Sequence, residues 1–306
     1  LLKNQAVTVF EYSFRCFCRE NPISGPESAS PTARAWLYAR HSMPELDLSW
    51  GFASLLALAF FAGLVDSVIG GGGLIQVPAL LVFLPGAPVA TIFGTNKIIS
   101  LAGTSVALAR IAQSVAIPWR TVLPAALLAA VFAFIGARAV TLIDPALLKP
   151  VILVLLIAVA LYTFVRKDFG ALHQPKFAQH HERLVAMLVG AGLGFYEGFF
   201  GPGTGSFLIF AFVGLLGFNF LTASVSAKVV NITTNIAATA WFAWSGNILY
   251  KLAIPMAIAN IAGAWVGSHL ALTRGSAFLR VFFLCVIVAL IGRFAWDVAS
   301  GVALLR

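Results

Sequence analysis

From residue 50 onward the chain alternates long apolar runs with short polar connections. Apolar segments fall at 50–69, 74–85, 89–113, 121–141 and 148–165. After a polar, basic stretch, "RKDFGALHQPKFAQHHER" at 166–183, they resume at 184–200, 206–217, 221–244, 252–272 and 278–297. A helix needs about 20 apolar residues to cross the hydrocarbon core, within a range of about 17–25. Most of these runs qualify, whereas 74–85 and 206–217 are too short to span comfortably. In lipid a segment must satisfy its own backbone, so runs of this kind are expected to be helices.

The two sets of segments align without a gap. Asp66 matches Glu197, an offset of 197 − 66 = 131, and the same offset matches Gly70 with Gly201, Gly72 with Gly203 and Lys97 with Lys228. It continues through Pro124 with Pro255 and Gly136 with Gly267. One register held over such a length reads as an internal repeat, an architecture common among transporters. The expected fold is an all-α polytopic membrane protein: two homologous repeats of about five hydrophobic segments each, with broken helices at the midplane. An odd number of segments inverts the second copy. If the short runs are re-entrant instead, the count is four plus four and the repeats run parallel.

Charge bears on that choice. Arg110 and Arg120 flank the third connection of the first copy, where the second copy holds only Lys251. Arg274 and Arg280 flank the last connection of the second copy, where the first has Asp144 and Lys149. The bias reverses, as inverted copies require when cytoplasmic loops collect Lys and Arg. The expected organisation is therefore a polar extension at 1–47, a first repeat at 48–165, a basic cytoplasmic linker at 166–183, a second repeat at 184–297 and a tail at 298–306. The native start is expected at Met43, where "MPELDLSW" leads into the first apolar run. Trp50, Trp119, Tyr162, Trp244, Tyr250 and Trp296 lie near segment ends, where aromatic rings favour the interface.

Composition agrees: 60% of the 306 residues are hydrophobic and 10% charged, against about 25% charged in a soluble domain. The net charge of +9 is scattered between apolar runs rather than gathered on a solvated face, which argues against nucleic-acid binding. Cys16, Cys18 and Cys285 suggest no disulfide framework, and Cys16 with Cys18 is too little for a zinc site. His173, His180 and His181 read as a solvated loop face, and His269 as a packing or hydrogen-bonding residue. Neither a metal nor a cofactor is expected.

Charges and open backbone inside apolar sequence call for an explanation, because both are costly in hydrocarbon. "DSVIGGGGLIQVPAL" places Asp66 ahead of Gly70, Gly71, Gly72 and Gly73. "YEGFFGPGTGSF" places Glu197 ahead of Gly201, Pro202, Gly203, Thr204 and Gly205. Glycine opens backbone conformations closed to other residues and proline removes a donor, so each stretch should break a helix. A break frees amides and creates a helix N-terminus suited to anions. Close helix packing is the competing explanation for the small residues. A nucleotide loop is disfavoured, since no Gly-Lys-Ser/Thr ending follows.

Two lysines complete the candidate site. "TNKIISLAGT" sets Lys97, Ser100 and Thr104 at i, i+3 and i+7, and "AKVVNITTN" sets Lys228, Asn231 and Asn235 at the same spacing. Each trio shares a helical face that should point into protein or a wet cavity. The lysines either contact a small anionic substrate or pair with carboxylates, Lys97 with Asp66 and Lys228 with Glu197. Both roles are compatible if substrate displaces a carboxylate. Asp66 and Glu197 are then charge partners or proton carriers.

At these residues the chain resembles the sulfite/sulfonate exporter family typified by TauE and SafE, formerly termed domain of unknown function 81. The resemblance spans about 48–297 and rests on "DSVIGGGGLIQVPAL", "TNK" at 95–97, "EGFFGPGTGSF" and Lys228 followed by Asn231. Glu197 stands where relatives often carry Asp, which keeps the carboxylate but changes its reach. The resemblance implies a bacterial inner-membrane transporter for small sulfur-containing anions such as sulfite or sulfonates, commonly an exporter. The expected mechanism is alternating access, one repeat moving against the other, in a multi-pass protein that is not an enzyme. Its expected partners are a small anion and the lipid bilayer, with homo-oligomerisation left open. The alternatives are a membrane enzyme acting on lipid phosphate, which would draw on Thr204 and Ser206, and a non-transporting membrane partner or chaperone subunit.

Overall fold

The structure, a computed structural model, describes residues 50–143, 152–155, 179–274 and 296. The expected segments at 148–165 and 278–297, and Cys16, Cys18 and Cys285, lie largely or wholly outside the described residues.

The described chain is helical. In order come α1 (Trp50–Ile69), α2 (Gly73–Phe83), α3 (Val89–Ile111), α4 (Trp119–Leu142), α5 (Gln179–Phe199), α6 (Thr204–Ala211), α7 (Phe220–Trp244) and α8 (Tyr250–Arg274). A π-helical turn, Phe212–Leu216, prolongs α6 and ends at Gly217 in the left-handed region. Local sequence explains the boundaries. Pro88 and Pro118 precede α3 and α4, and the Asn219 side chain accepts from Thr222 N at 2.8 Å to cap α7. The α5 helix begins inside the stretch read as a linker; Glu182 in its first turn suits the positive end of the helix dipole and accepts from the Thr121 hydroxyl at 2.7 Å.

Among the described residues, four helices are long and apolar enough to cross a membrane: Trp50–Val68, Val89–Ile111, Trp119–Leu142 and Tyr250–Leu270. Gly73–Phe83 and Thr204–Leu216 are apolar but shorter. Leu123, Leu127, Val131, Ile254, Ile258 and Trp265 project outward from α4 and α8. In water such surface would be a liability; in a bilayer it is the lipid contact. Trp50, Trp119, Trp244 and Tyr250 are exposed at helix ends, the expected level for an aromatic belt.

Matching helices start 131 residues apart: Gly73 and Thr204, Val89 and Phe220, Trp119 and Tyr250. They do not pack as two separate halves. The most extensive contacts join α4 to α5 and α8 to α1, each pair taking one helix from either side of the linker. Small residues permit this. Gly190, Gly194 and Gly198 of α5 face Ala125, Ala129 and Ala133 of α4, both at four-residue spacing. Gly263 and Gly267 of α8 meet the backbone of Phe60 and Leu64 on α1. Asn260 Nδ2 donates to Ala59 O at 2.8 Å, adding a buried polar link between α8 and α1. With the outer helices exchanged, α3 and α7 pack together and bring their polar faces toward both breaks.

Candidate functional site

The site forms where α1 gives way to α2 and α5 to α6. Gly70 at φ +78° and Gly201 at φ +95° turn the chain out of α1 and α5, a conformation that side chains with a Cβ rarely adopt. The two breaks touch. Ser206 N donates to Gly70 O at 3.0 Å. A Cβ on Gly70 would lie 2.6 Å from the carbonyl carbon of Gly205, and one on Gly73 would lie 3.1 Å from Pro202 Cα. The glycines thus serve both uses read from the sequence, opening the backbone and letting two backbones meet.

Many amides freed by the breaks already have acceptors. Gly70 N donates to Asp66 O at 2.9 Å, Leu74 N to Gly71 O at 3.0 Å and Gly201 N to Tyr196 O at 3.1 Å. Thr204 N and its hydroxyl both donate to Gly201 O, at 3.2 Å and 2.8 Å. Gly72 N donates to Asp66 Oδ1 at 3.0 Å, so the chain's own carboxylate sits at the N-terminus of α2, where an anion is favoured. Asp66 Oδ2 accepts from the Thr104 hydroxyl at 3.0 Å.

The lysines pair across, not within, their own halves. Lys97, fully buried on α3, places Nζ 2.6 Å from Glu197 Oε1 and also donates to Glu197 O. Lys228, buried on α7, donates to Asp66 O at 3.0 Å. This corrects the expected pairing of Lys97 with Asp66 and Lys228 with Glu197. The exchange of helices explains the difference, since it carries each lysine to the broken helix of the other half. Both lysines meet the C-terminal ends of α1 and α5, where a cation offsets the negative dipole end. At Glu197 O the lysine also replaces a lost helical donor, since the amide of Gly201 turns instead to Tyr196 O; Asp66 O keeps Gly70 N and accepts from Lys228 in addition.

The remaining expected residues divide. Thr104 joins the Asp66 cluster, while Ser100 lies half-buried one turn nearer Lys97 on α3. Asn235 Nδ2 donates to Asn231 O at 2.8 Å, leaving its buried Oδ1 without a partner; Asn231 Oδ1 is buried and unpartnered too.

Sequence reading missed three groups. The Tyr196 hydroxyl donates to Pro202 O at 2.8 Å and ties the second break to α5. Its ring packs edge-on against Phe200 and Phe207. Gln76 of α2 is buried with neither amide atom partnered, and Asn96 beside Lys97 has an unpartnered buried Oδ1. The lone glutamine in "GLIQVPALLVF" was the available signal for Gln76. An amide in so apolar a helix carries the same implication as a charge there.

A family model described as "Sulfite exporter TauE/SafE" matches residues 55–294. A "Probable membrane transporter protein ORF9" of Sinorhizobium sp. is 36% identical over 249 residues, covering 80% of this chain and 92% of that protein. A "Probable membrane transporter protein" of Haemophilus influenzae is 34% identical over 249 residues, covering 80% and 94%. The "Probable membrane transporter protein YfcA" of Escherichia coli is 29% identical over 243 residues, covering 79% and 89%. No solved structure matches the chain.

Proposed function

The chain belongs to the sulfite exporter TauE/SafE family, and from that premise we propose that it exports small sulfur-containing anions, sulfite or sulfonates, across the bacterial inner membrane by alternating access. The observation that carries the anionic reading is the burial of two lysines, Lys97 and Lys228, at paired helix breaks inside an apolar bundle. A transporter gains from such a site because broken helices supply backbone donors and dipole ends where an anion can pause.

Lys97 and Lys228 attract the anion in this reading, and Ser100, Thr104, Asn231 and Asn235 supply side-chain hydrogen bonds. Gly70 to Gly73, with Gly201, Gly203, Thr204 and Gly205, supply the broken backbone. Asp66 and Glu197 hold their places until substrate arrives, Asp66 on Gly72 N and Glu197 on Lys97. Opening the Lys97–Glu197 pair frees a cation for substrate and a carboxylate for a coupled proton. The 131-residue spacing of helix starts and the reversed distribution of basic residues support two inverted repeats. The lipid-phosphate alternative gains nothing from Thr204, whose hydroxyl is engaged by Gly201 O.

A thermal-shift panel tests the substrate class. A ligand that binds only the folded state at 100 times its Kd stabilises it by about 2.7 kcal/mol. Sulfite or a small sulfonate should raise the unfolding temperature of the purified protein where sodium and potassium controls do not. Equal unfolding temperatures across the whole anion panel contradict the proposal.

A further inference from the structure

Resting on the anion reading above, we infer that Lys228, Asn231 and Asn235 form a substrate subsite for a small monoanion that carries its own hydrogen-bond donor, an O–H or N–H group. Lys228 and Lys97 differ in what already neutralises them. The Lys97 ammonium has the Glu197 carboxylate at 2.6 Å. Lys228 has a neutral carbonyl, Asp66 O, at 3.0 Å, and no carboxylate within 4.0 Å among the described residues. The carboxylate of Asp66 is turned instead onto Gly72 N and the Thr104 hydroxyl. The nearest negative charge on Lys228 is therefore a carboxylate held out of direct contact and committed to other donors, which leaves the ammonium room for a bound anion.

The neighbouring groups define the rest of the ligand. Asn231 and Asn235 follow Lys228 at i+3 and i+7 on one face of α7 and are 7% and 2% exposed. Asn235 commits its Nδ2 to Asn231 O, so the unpartnered atom is the carbonyl Oδ1, an acceptor. The side-chain amide of Asn231 makes no hydrogen bond that fixes its orientation, so it can turn its buried Oδ1 to the same donor. A bare oxyanion offers the fixed Asn235 oxygen only repulsion, and a second negative charge would worsen it. A monoanion with a hydroxyl or protonated nitrogen satisfies the cation with one end and an orphaned carbonyl with the other. Both oxygens are closed from solvent in this conformation, so the ligand reaches them through a rearrangement of the surrounding helices.

Ethanesulfonate and 2-hydroxyethanesulfonate form the diagnostic pair, alike in charge and differing by one hydroxyl. Calorimetric titration of the full chain in nanodiscs should show the hydroxylated probe binding ~10-fold or more tightly, as expected when a buried acceptor is otherwise left unpaired. Asn235→Leu and Asn231→Leu should together bring the two affinities to within about threefold, each variant removing one acceptor. Lys228→Gln should weaken both probes by at least ~10-fold through loss of the charge. Equal affinity for the two probes in the unmodified protein overturns the inference without recourse to any variant, as does unchanged binding in folded Lys228→Gln. Failure of sulfite and both sulfonates to bind at all overturns the anion reading on which the inference rests.

Discussion

Lys97 and Glu197, 100 residues apart in sequence, meet at 2.6 Å in the buried centre of the bundle, and the lysine also caps the backbone carbonyl of the same glutamate. This contact fastens α3 to the end of α5. Removing one partner strands the other charge without compensation, so Lys97→Met should destabilise the protein by ~3–5 kcal/mol. Lys97→Met combined with Glu197→Gln should recover part of that loss. Unfolding in a graded denaturant series, as a double-mutant cycle, reads the coupling; additive single effects would show that the pair is not a unit.

Gly70 and Gly192 should respond in opposite ways to the same change. Gly70→Ala forces a side chain into φ +78° and against the carbonyl carbon of Gly205, 2.6 Å away. Backbone strain alone costs of order 1–3 kcal/mol, before the collision is counted. Gly192 lies within α5 with open space where a Cβ would project. Alanine there should be neutral or stabilise by up to ~1 kcal/mol through helix propensity. Unfolding temperatures of the two variants test the contrast.

Tyr196 holds the second break by one hydrogen bond to Pro202 O. Tyr196→Phe keeps the ring contacts with Phe200 and Phe207 and removes only the hydroxyl. The expected loss is ~0.5–1.5 kcal/mol, with the carbonyl of Pro202 left to find another donor. Faster amide exchange confined to 200–206 would locate the effect at the break, while uniform exchange across α5 would contradict it.

The helices were legible because lipid permits few alternatives: an apolar run such as 89–113 or 121–141 has to satisfy its backbone internally. The breaks were legible because Asp66 with Gly70 to Gly73 recurs as Glu197 with GPGTG. The partners of the lysines were not. A register of 131 relates Lys97 to Lys228 and Asp66 to Glu197, but pairing within a half and pairing across halves obey that register equally well. Only the packing of α1 on α8 and α4 on α5 decides between them. Gln76 escaped for a different reason. Its counterpart is Phe207, so a search for matched polar positions passes over it.

Inverted repeats place matching helix starts on opposite sides of the membrane. Trp119 and Tyr250, equivalent by register and both about half exposed, mark the starts of α4 and α8. A cysteine at Trp119 should react with an impermeant maleimide from the cytoplasmic side, and one at Tyr250 from the opposite side. Labelling of both from the same side would establish parallel repeats.

On the proposed function, a small sulfur-containing anion crosses the membrane at the meeting point of the two breaks. Efflux of sulfite and of 2-hydroxyethanesulfonate from preloaded proteoliposomes measures it most directly. Unmodified protein should release at least one of them well above protein-free vesicles, and folded Lys97→Ala and Lys228→Ala should each lower that rate by ~10-fold or more, since each removes a buried charge from the path. No protein-dependent efflux of either anion, or full efflux through both lysine variants, would rule out this route.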